Sequence, residues 1–188
     1  MTLRELLTQR SARLQEHPAL TAPSWGELRY PAFRNRVEGL ARGLVLEGRD
    51  RFHCRTGGPW DWACEVACAC CGFSWDPAAE PPDPELLGGA RFNHEDGRQA
   101  YHDREHQVLE GTPFAGGLDQ GELVRRLQRL NGKLGWDHDS VVPLPLEQLG
   151  NPELRAALWS TLYAGGHAIL RPGPVPGWDS ALFQGFWT

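Results

Sequence analysis

The chain has 188 residues, a formal net charge of −5 and 40% hydrophobic residues, which is typical of one globular domain with a sizeable core. This composition excludes a disordered chain and a coiled coil, and the acidic balance argues against general affinity for nucleic acid. The apolar stretches are far shorter than the ~20 residues that span a bilayer, and the N-terminus lacks a basic segment followed by an apolar one. We therefore expect no membrane segment and no secretory signal.

Residues 1–77 predict a helix, a hairpin, a second helix and then a strand–helix–strand unit. A capping box formed by Thr2 and Glu5 opens the first helix. Two short strand patterns flank a turn that contains proline and glycine, which indicates the hairpin. Apolar residues at helical spacing then predict the second helix after Pro31 and a third helix over 60–71.

Four of the five cysteines lie in the third predicted helix. Cys64, Cys68 and Cys71 are spaced as one face of a helix, and Cys70 is adjacent to Cys71. Because buried cysteine behaves as a small hydrophobe, this pattern favours reduced thiols in a core. A zinc site or a redox role is the alternative, although a second Cys or His pair at hairpin spacing is lacking. Unpaired thiols are typical of a reducing compartment, so we expect a cytoplasmic protein.

The rest of the chain continues the alternation of helices and strands. Residues 78–118 are polar, acidic and rich in proline, and we predict an irregular connection there. Residues 119–172 predict two helices that each precede a strand, and residues 173–188 form a tail rich in proline and aromatic side chains. We interpret residues 1–188 as a single α/β domain with a mainly parallel sheet and helices on both faces.

Five stretches of the chain carry a recognisable pattern when they are taken in order. They are residues 27–44, 59–77, 87–92, 137–146 and 158–172. Together they resemble the N-terminal domain of the adenylate-forming enzymes, the superfamily of acyl-CoA synthetases and AMP-binding ligases. For example, the second stretch ends in CGFSWDP, which is similar to the family's AGAVYVPLDP. The resemblance implies the α/β fold of that domain and a reaction that activates carboxylates with ATP.

The resemblance also locates a loop in which this chain departs from the family. Family members carry a loop of the form YTSGTTGRPKG, which binds ATP phosphates through backbone N–H groups, hydroxyls and a lysine. At the corresponding position, residues 107–119, this chain has Gly111, Thr112, Gly116 and Gly117. Thr112 is the only hydroxyl there, lysine is missing, and two carboxylates have the wrong sign for polyphosphate. We interpret the four residues as a degenerate phosphate-loop position.

This departure changes what the resemblance implies about function. The family's later ATP-binding motifs, and the C-terminal domain that supplies the adenylation lysine, have no counterpart in these 188 residues. We expect a non-catalytic pseudoenzyme that requires no cofactor and acts as a binding or regulatory module, as a homodimer or with a protein partner. The alternative is a retained pocket for an acyl group, CoA or a nucleotide (ATP/AMP), with any ligase-related activity needing a second chain.

Three histidines suggest a function of another class, that of a metal-dependent enzyme. His94, His102 and His106 lie among four carboxylates, and the last two histidines would share one face of a helix. The order His-x-x-Glu-His also matches an inverted zinc-enzyme motif. A solvated polar surface without metal is the alternative, because no apolar stripe supports a helix in this segment.

The tail contains an aromatic cluster. Its members are Trp178, Phe183, Phe186 and Trp187. If the sheet ends at the last predicted strand, its edge must be covered, because exposed edges and apolar patches promote association. The tail could fold back over that edge, or it could form the interface of a homodimer or of a complex with another protein. We expect neither nucleic acid nor a membrane as a partner.

Overall fold

The computed structural model describes residues 1–87 and 95–188, along which helices alternate with short strands. The helices are α1 (Leu3–Arg13), α2 (Tyr30–Leu44), α3 (Pro59–Cys71), α4 (Pro84–Leu87), α5 (Glu95–Glu105), α6 (Gln120–Leu134) and α7 (Pro152–Ala164). The strands are β1 (Pro18–Ala22), β2 (Gly26–Arg29), β3 (Arg51–Phe52), β4 (Ser74–Trp75), β5 (Pro113–Ala115), β6 (Leu118–Asp119), β7 (Val141–Pro145) and β8 (His167–Arg171). This order confirms the predicted α/β class. Among these residues, no helix combines the length and the apolar character needed to cross a bilayer.

Local signals begin and end the helices as the sequence predicts. The Thr2 hydroxyl accepts a hydrogen bond from the Glu5 backbone N–H, and the Glu5 carboxylate accepts one from the Thr2 N–H, so the capping box of α1 is formed. The Asn151 side chain caps α7, which begins with a proline. Gly72 ends α3 with a φ of 68°, a left-handed conformation that glycine adopts without strain.

In the described part of the chain, the strands form two four-stranded sheets, whereas we expected one sheet. Their strand orders are β2-β1-β8-β7 and β3-β4-β5-β6. In each sheet two pairings are parallel and the third is an antiparallel hairpin, β1–β2 or β5–β6. The mainly parallel character is therefore confirmed. The division into two sheets could not be predicted locally, because β8 inserts between β1 and β7 from a distant part of the chain.

Helix α3 lies at the centre of the core. All of its residues except Trp60 are buried, so the helix is covered on every side. The Gln120 side chain, itself fully buried, joins α3 to α1 and α6. Its oxygen accepts from the Leu3 N–H (3.1 Å), and its amide donates to the Ala69 carbonyl (2.7 Å). The position of α6 therefore depends on α3.

All five cysteines are free and buried, which confirms their interpretation as core thiols. Burial raises the pKa of the Cys70 thiol to about 12, and it raises the pKa of the Cys68 thiol as well. The thiolate is the form that binds metals and attacks disulfides. Thiols that stay protonated therefore suit packing better than zinc or redox chemistry.

Helix α5 lies in the segment 78–118, where we expected an irregular connection. It packs so closely on α2 that a Cβ at Gly97 would lie 2.1 Å from the Arg42 carbonyl oxygen. One turn later, the Tyr101 side chain is buried. A helix that buries so narrow a face needs no apolar stripe, and this is why the sequence pattern does not reveal it.

A buried ion pair joins α3 to α7. The Glu65 carboxylate, whose side chain is 3% exposed, accepts hydrogen bonds from the Arg155 guanidinium at 3.0 and 2.7 Å. It also accepts one from the Trp159 indole N–H at 2.8 Å. A carboxylate in a core is costly unless such donors replace its hydration. The charge of Glu65 therefore requires α7 to lie against α3.

Replacing Arg155 with methionine should leave the Glu65 carboxylate buried without its cation. We expect the Arg155→Met variant to lose about 3–5 kcal/mol of unfolding free energy, measured by urea denaturation. The double variant Glu65→Leu/Arg155→Met removes both charges and should recover most of this loss. As a control, Arg34→Met removes the more exposed ion pair with Glu38 and should cost less than about 1 kcal/mol. Equal losses in the three variants would contradict a special role for the buried pair.

Candidate functional site

The carboxyl ends of the parallel strands β3, β4 and β5 meet at one edge of the second sheet. Open α/β sheets bind ligands outside this edge. A cavity of about 480 Å³ lies here, and a second cavity of about 340 Å³ shares Pro77 with it. The larger is lined by Arg51 and residues 74–77 and 113–118, and the smaller by His53, Arg55, Thr56, Pro77, Ala79, Pro81, Pro82 and Pro84. We call the two cavities together the strand-end crevice.

The loop that follows β3 forms one wall of the crevice and is held by a carboxylate of α3. Asp61, in the first turn of α3, accepts from the Thr56 backbone N–H (2.6 Å), the Thr56 hydroxyl (2.7 Å) and the Gly57 N–H (3.0 Å). A carboxylate in a first turn also interacts favourably with the helix dipole. The loop, with His53 and Arg55, is therefore fixed to the central helix.

Arg55 supplies positive charge to the crevice. It is exposed, and it forms no hydrogen bond or ion pair with the residues that the structure describes. Beside it, His53 is buried, with its ring 4.9 Å from the Trp75 ring. Burial and the charges of Arg55 and Arg155 lower the pKa of His53, so its imidazole is neutral at neutral pH. A guanidinium, a neutral imidazole and proline walls suit a small anion with an apolar part.

The residues at the predicted phosphate-loop position do not surround a common point. Gly116 and Gly117 are the two-residue turn of the β5–β6 hairpin, with φ values of 61° and 79°. Positive φ at both positions is what a type I′ hairpin turn requires. Gly111 and Thr112 precede β5, where the Thr112 hydroxyl accepts from the Leu109 N–H (2.9 Å). Strand β5 therefore separates the two pairs of residues.

The two carboxylates of this segment both form contacts with other groups of the same chain. Asp119 is the N-cap of α6 and accepts from the Glu122 N–H at 2.7 Å. It thus takes a helix N-terminal donor of the kind that binds phosphate in other proteins. The Glu110 carboxylate contacts the N-terminal ammonium, and its carbonyl accepts from the Gly121 N–H at 2.8 Å. Lys133, the only lysine of the chain, is exposed in the last turn of α6, at the other end of that helix.

The C-terminal tail contacts the turn of the β5–β6 hairpin at Gly116. The Arg126 guanidinium donates to three backbone carbonyl oxygens in residues 185–188, and the Trp187 indole donates to the Pro152 carbonyl at 2.9 Å. With the tail in this position, a Cβ at residue 116 would lie 2.5 Å from the Trp187 carbonyl oxygen. Glycine at this position therefore serves both the turn and the contact with the tail.

The aromatic cluster of the tail packs in part on its own domain. Phe183 and Phe186 are 5% and 7% exposed, and the Trp178 ring lies 5.1 Å from that of Phe183. The Arg155 guanidinium lies 4.2 Å from the Trp187 ring centre. The tail thus folds back over its own domain. Packing on the domain buries Phe183 and Phe186 and leaves Trp178 and Trp187 partly exposed, so an interface at these four residues stays a prediction.

The predicted metal ligands His102 and His106 lie at the C-terminal end of α5, where Glu105 joins them. His94, the third predicted ligand, lies outside the described residues. None of the three described side chains lines the strand-end crevice. The candidate metal cluster and the crevice are therefore separate features.

Several residues that form or position the site were not identified from the sequence. They are Arg55, Glu65, Gln120 and Arg155. A signal existed for Glu65, since one carboxylate inside the apolar run WACEVACACC predicts a buried partner. For Arg155 and Gln120 no local signal exists, because their partners lie on helices that are distant in sequence.

Alanine at residue 116 should displace the tail. Gly116 and Gly117 both have positive φ, so alanine at either one costs about 1 kcal/mol or more of backbone strain. At residue 117 a Cβ meets no atom within 4 Å, whereas at 116 it meets the Trp187 carbonyl. We expect Gly116→Ala to lose about 1–3 kcal/mol more unfolding free energy than Gly117→Ala, and to expose the tail to proteases. If both variants lose the same stability and resist cleavage equally, the tail does not pack on the turn.

Comparison with known proteins identifies the fold. No protein-family model and no curated protein matches the chain. Among solved structures, the N-terminal domain of FACL13 from Mycobacterium tuberculosis is similar with a TM-score of 0.64 and 13% identity, over 93% of this chain and 58% of that one. ATP-bound MatB from Rhodopseudomonas palustris has a TM-score of 0.62 and 14% identity, over 93% and 46%. The N-terminal subdomain of Klebsiella oxytoca NpsA has a TM-score of 0.60 and 14% identity, over 93% and 55%.

What these proteins share with the present chain is the fold, and the chain spans about half of the length of each. The similar regions in FACL13 and NpsA are N-terminal domains or subdomains by description. This agrees with the resemblance of the five sequence stretches. The chain therefore has the α/β fold of the N-terminal domain of acyl-CoA synthetases and other adenylate-forming enzymes.

Proposed function

We propose that this domain is a pseudoenzyme with an adenylate-forming fold, which acts by binding and does not activate carboxylates with ATP. The observation that carries the proposal is the two-residue turn at Gly116 and Gly117, which the tail contacts at Gly116. In adenylation, the enzyme must hold the carboxylate and the triphosphate together and stabilise charge at the phosphate. A closed turn of two glycines offers too few donors for that task.

The charges next to the turn support the same proposal. Asp119 and Glu110 place two carboxylates in the segment where a triphosphate would need cations. Because Asp119 already caps α6, the helix N-terminus is less available to an anionic ligand. Binding of ATP at this position would therefore bring like charges together without a lysine to offset them.

We infer that the ligand site is the strand-end crevice and that its ligand is a small carboxylate with an apolar part. Arg55 offers one cation that pairs with no carboxylate in the described part of the chain, which suits a single negative charge better than a polyphosphate. The proline-lined cavity of about 340 Å³ lies within the range of small-molecule pockets. In this version of the proposal the domain binds an acyl group in a pocket, and no cofactor takes part.

Binding to a second copy or to another protein is the other form of the proposal. Strand β7 lies at the edge of its sheet, with the Val141 side chain 57% exposed, and unpaired edges favour association. Pro143 and Pro145 lack N–H donors, however, so this edge is poorly suited to strand addition. The crevice is therefore the better supported of the two binding surfaces.

A thermal-shift panel with ATP–Mg²⁺, AMP, CoA and carboxylates of increasing apolar size tests the proposal. We expect no stabilisation by the nucleotides or CoA, and stabilisation by at least one carboxylate, reaching about 2.7 kcal/mol at one hundred times its Kd. Arg55→Met should abolish this shift. Arg13→Met is the matched control, because Arg13 is also exposed but lies on α1, outside the crevice.

Two results would overturn parts of the proposal. Stabilisation by ATP–Mg²⁺, or release of pyrophosphate with any carboxylate, would show that the domain is not a pseudoenzyme. If no carboxylate raises the melting temperature, the crevice is not an acyl site. In that case, a stable dimer in light scattering would favour the protein-binding form.

A further inference from the structure

Two histidines and a glutamate converge on the surface at the end of α5. The His102 Nδ1 atom lies 3.1 Å from Glu105 Oε1, and the His106 Nε2 atom lies 4.0 Å from the same oxygen. One ligand atom from each of the three side chains falls within 4.8 Å of the others. Spacing of three and four residues places them on one side of the chain as the helix ends.

These separations fit the coordination shell of a small transition-metal ion. Zinc binds imidazole nitrogen and carboxylate oxygen at about 2.0–2.2 Å, so neighbouring ligands of a tetrahedral site lie about 3.3 Å apart. The separations of 3.1 and 4.0 Å in the structure lie on either side of that value. Small rotations of the exposed imidazoles, whose side chains are 59% and 60% exposed, can bring both nitrogens to one ion.

The carboxylate of the cluster is already oriented by α1. Arg4 Nε donates to Glu105 Oε2 at 2.8 Å, and the Glu105 side chain is only 12% exposed. This contact fixes the carboxylate and leaves the other oxygen, Oε1, directed toward both histidines. A partner that orients a ligating carboxylate in this way is typical of metal sites.

We propose that His102, Glu105 and His106 form a surface site for Zn²⁺, with water in the remaining coordination positions. Two imidazoles and one carboxylate favour a borderline transition metal over Mg²⁺ or Ca²⁺, which prefer oxygen ligands alone. The site is open to solvent, and none of its three ligands lines the strand-end crevice. The proposal is therefore metal binding that links α5 to α1 through Arg4, and it is independent of the crevice.

Calorimetric titration of untagged, metal-free protein with Zn²⁺ tests the site, with Co²⁺ as a spectroscopic probe. We expect one ion per chain and visible d–d absorption from Co²⁺ bound to nitrogen and oxygen. His102→Ala and His106→Ala should each weaken Zn²⁺ binding by more than about tenfold, since loss of an outer-shell partner alone typically costs that much. Glu105→Gln should do the same.

His138→Ala is the matched control. His138 is also exposed, and it also lies near a carboxylate, Asp139, at 3.6 Å, but it belongs to no three-ligand group among the described residues. This variant should bind Zn²⁺ as the unaltered protein does. Circular dichroism identifies any variant that fails to fold. Absence of stoichiometric Zn²⁺ binding, or equal weakening in the His138 control and the ligand variants, would overturn the proposal.

Discussion

The buried carboxylate of Glu65 is the constraint on which the rest of the structure depends. It lies in α3, a helix covered on every side, so its charge must be compensated by other elements of the core. Arg155 and Trp159 supply the compensation, which holds α7 against α3. The Arg155 guanidinium also stacks on Trp187, so the same residue helps to hold the tail. One ionised group in the core thus links the central helix, the second half of the fold and the C-terminus.

The tail connects the buried ion pair to the candidate site, because Trp187 contacts both Arg155 and the turn at Gly116. Once Trp187 lies beside Arg155, its carbonyl oxygen lies against the turn at Gly116, and Phe183 and Phe186 are buried on their own domain. The edge where other proteins of this fold class bind ligands keeps a crevice, but its charge comes from Arg55 in the loop after β3. The proposed function, binding without ATP chemistry, therefore rests on how the core is packed as well as on the missing lysine.

Only part of the candidate site could be predicted from the sequence. Why a residue could or could not be predicted differs from one residue to the next. The missing lysine in residues 107–119 is evident from the residue types alone, and weak binding of phosphate there stays a prediction. The aromatic cluster of the tail illustrates the opposite case, because an aromatic pattern is the same for a tail that packs inward and for one that pairs with a partner. Arg55 represents a third case. Its proposed role in binding depends on a cavity that prolines further along the chain form, and no local pattern indicates that cavity.

By itself, the sequence determined the local features of this protein. The caps at Thr2 and Asn151, the buried cysteine helix and the order of helices and strands outside residues 78–118 all follow from hydrogen bonds and periodicity over a few residues. Only the tertiary structure decided that β8 inserts between β1 and β7, that α5 is a helix and that the tail folds inward. These features depend on contacts between residues far apart in the chain, where burial and the pairing of charges outweigh local preference.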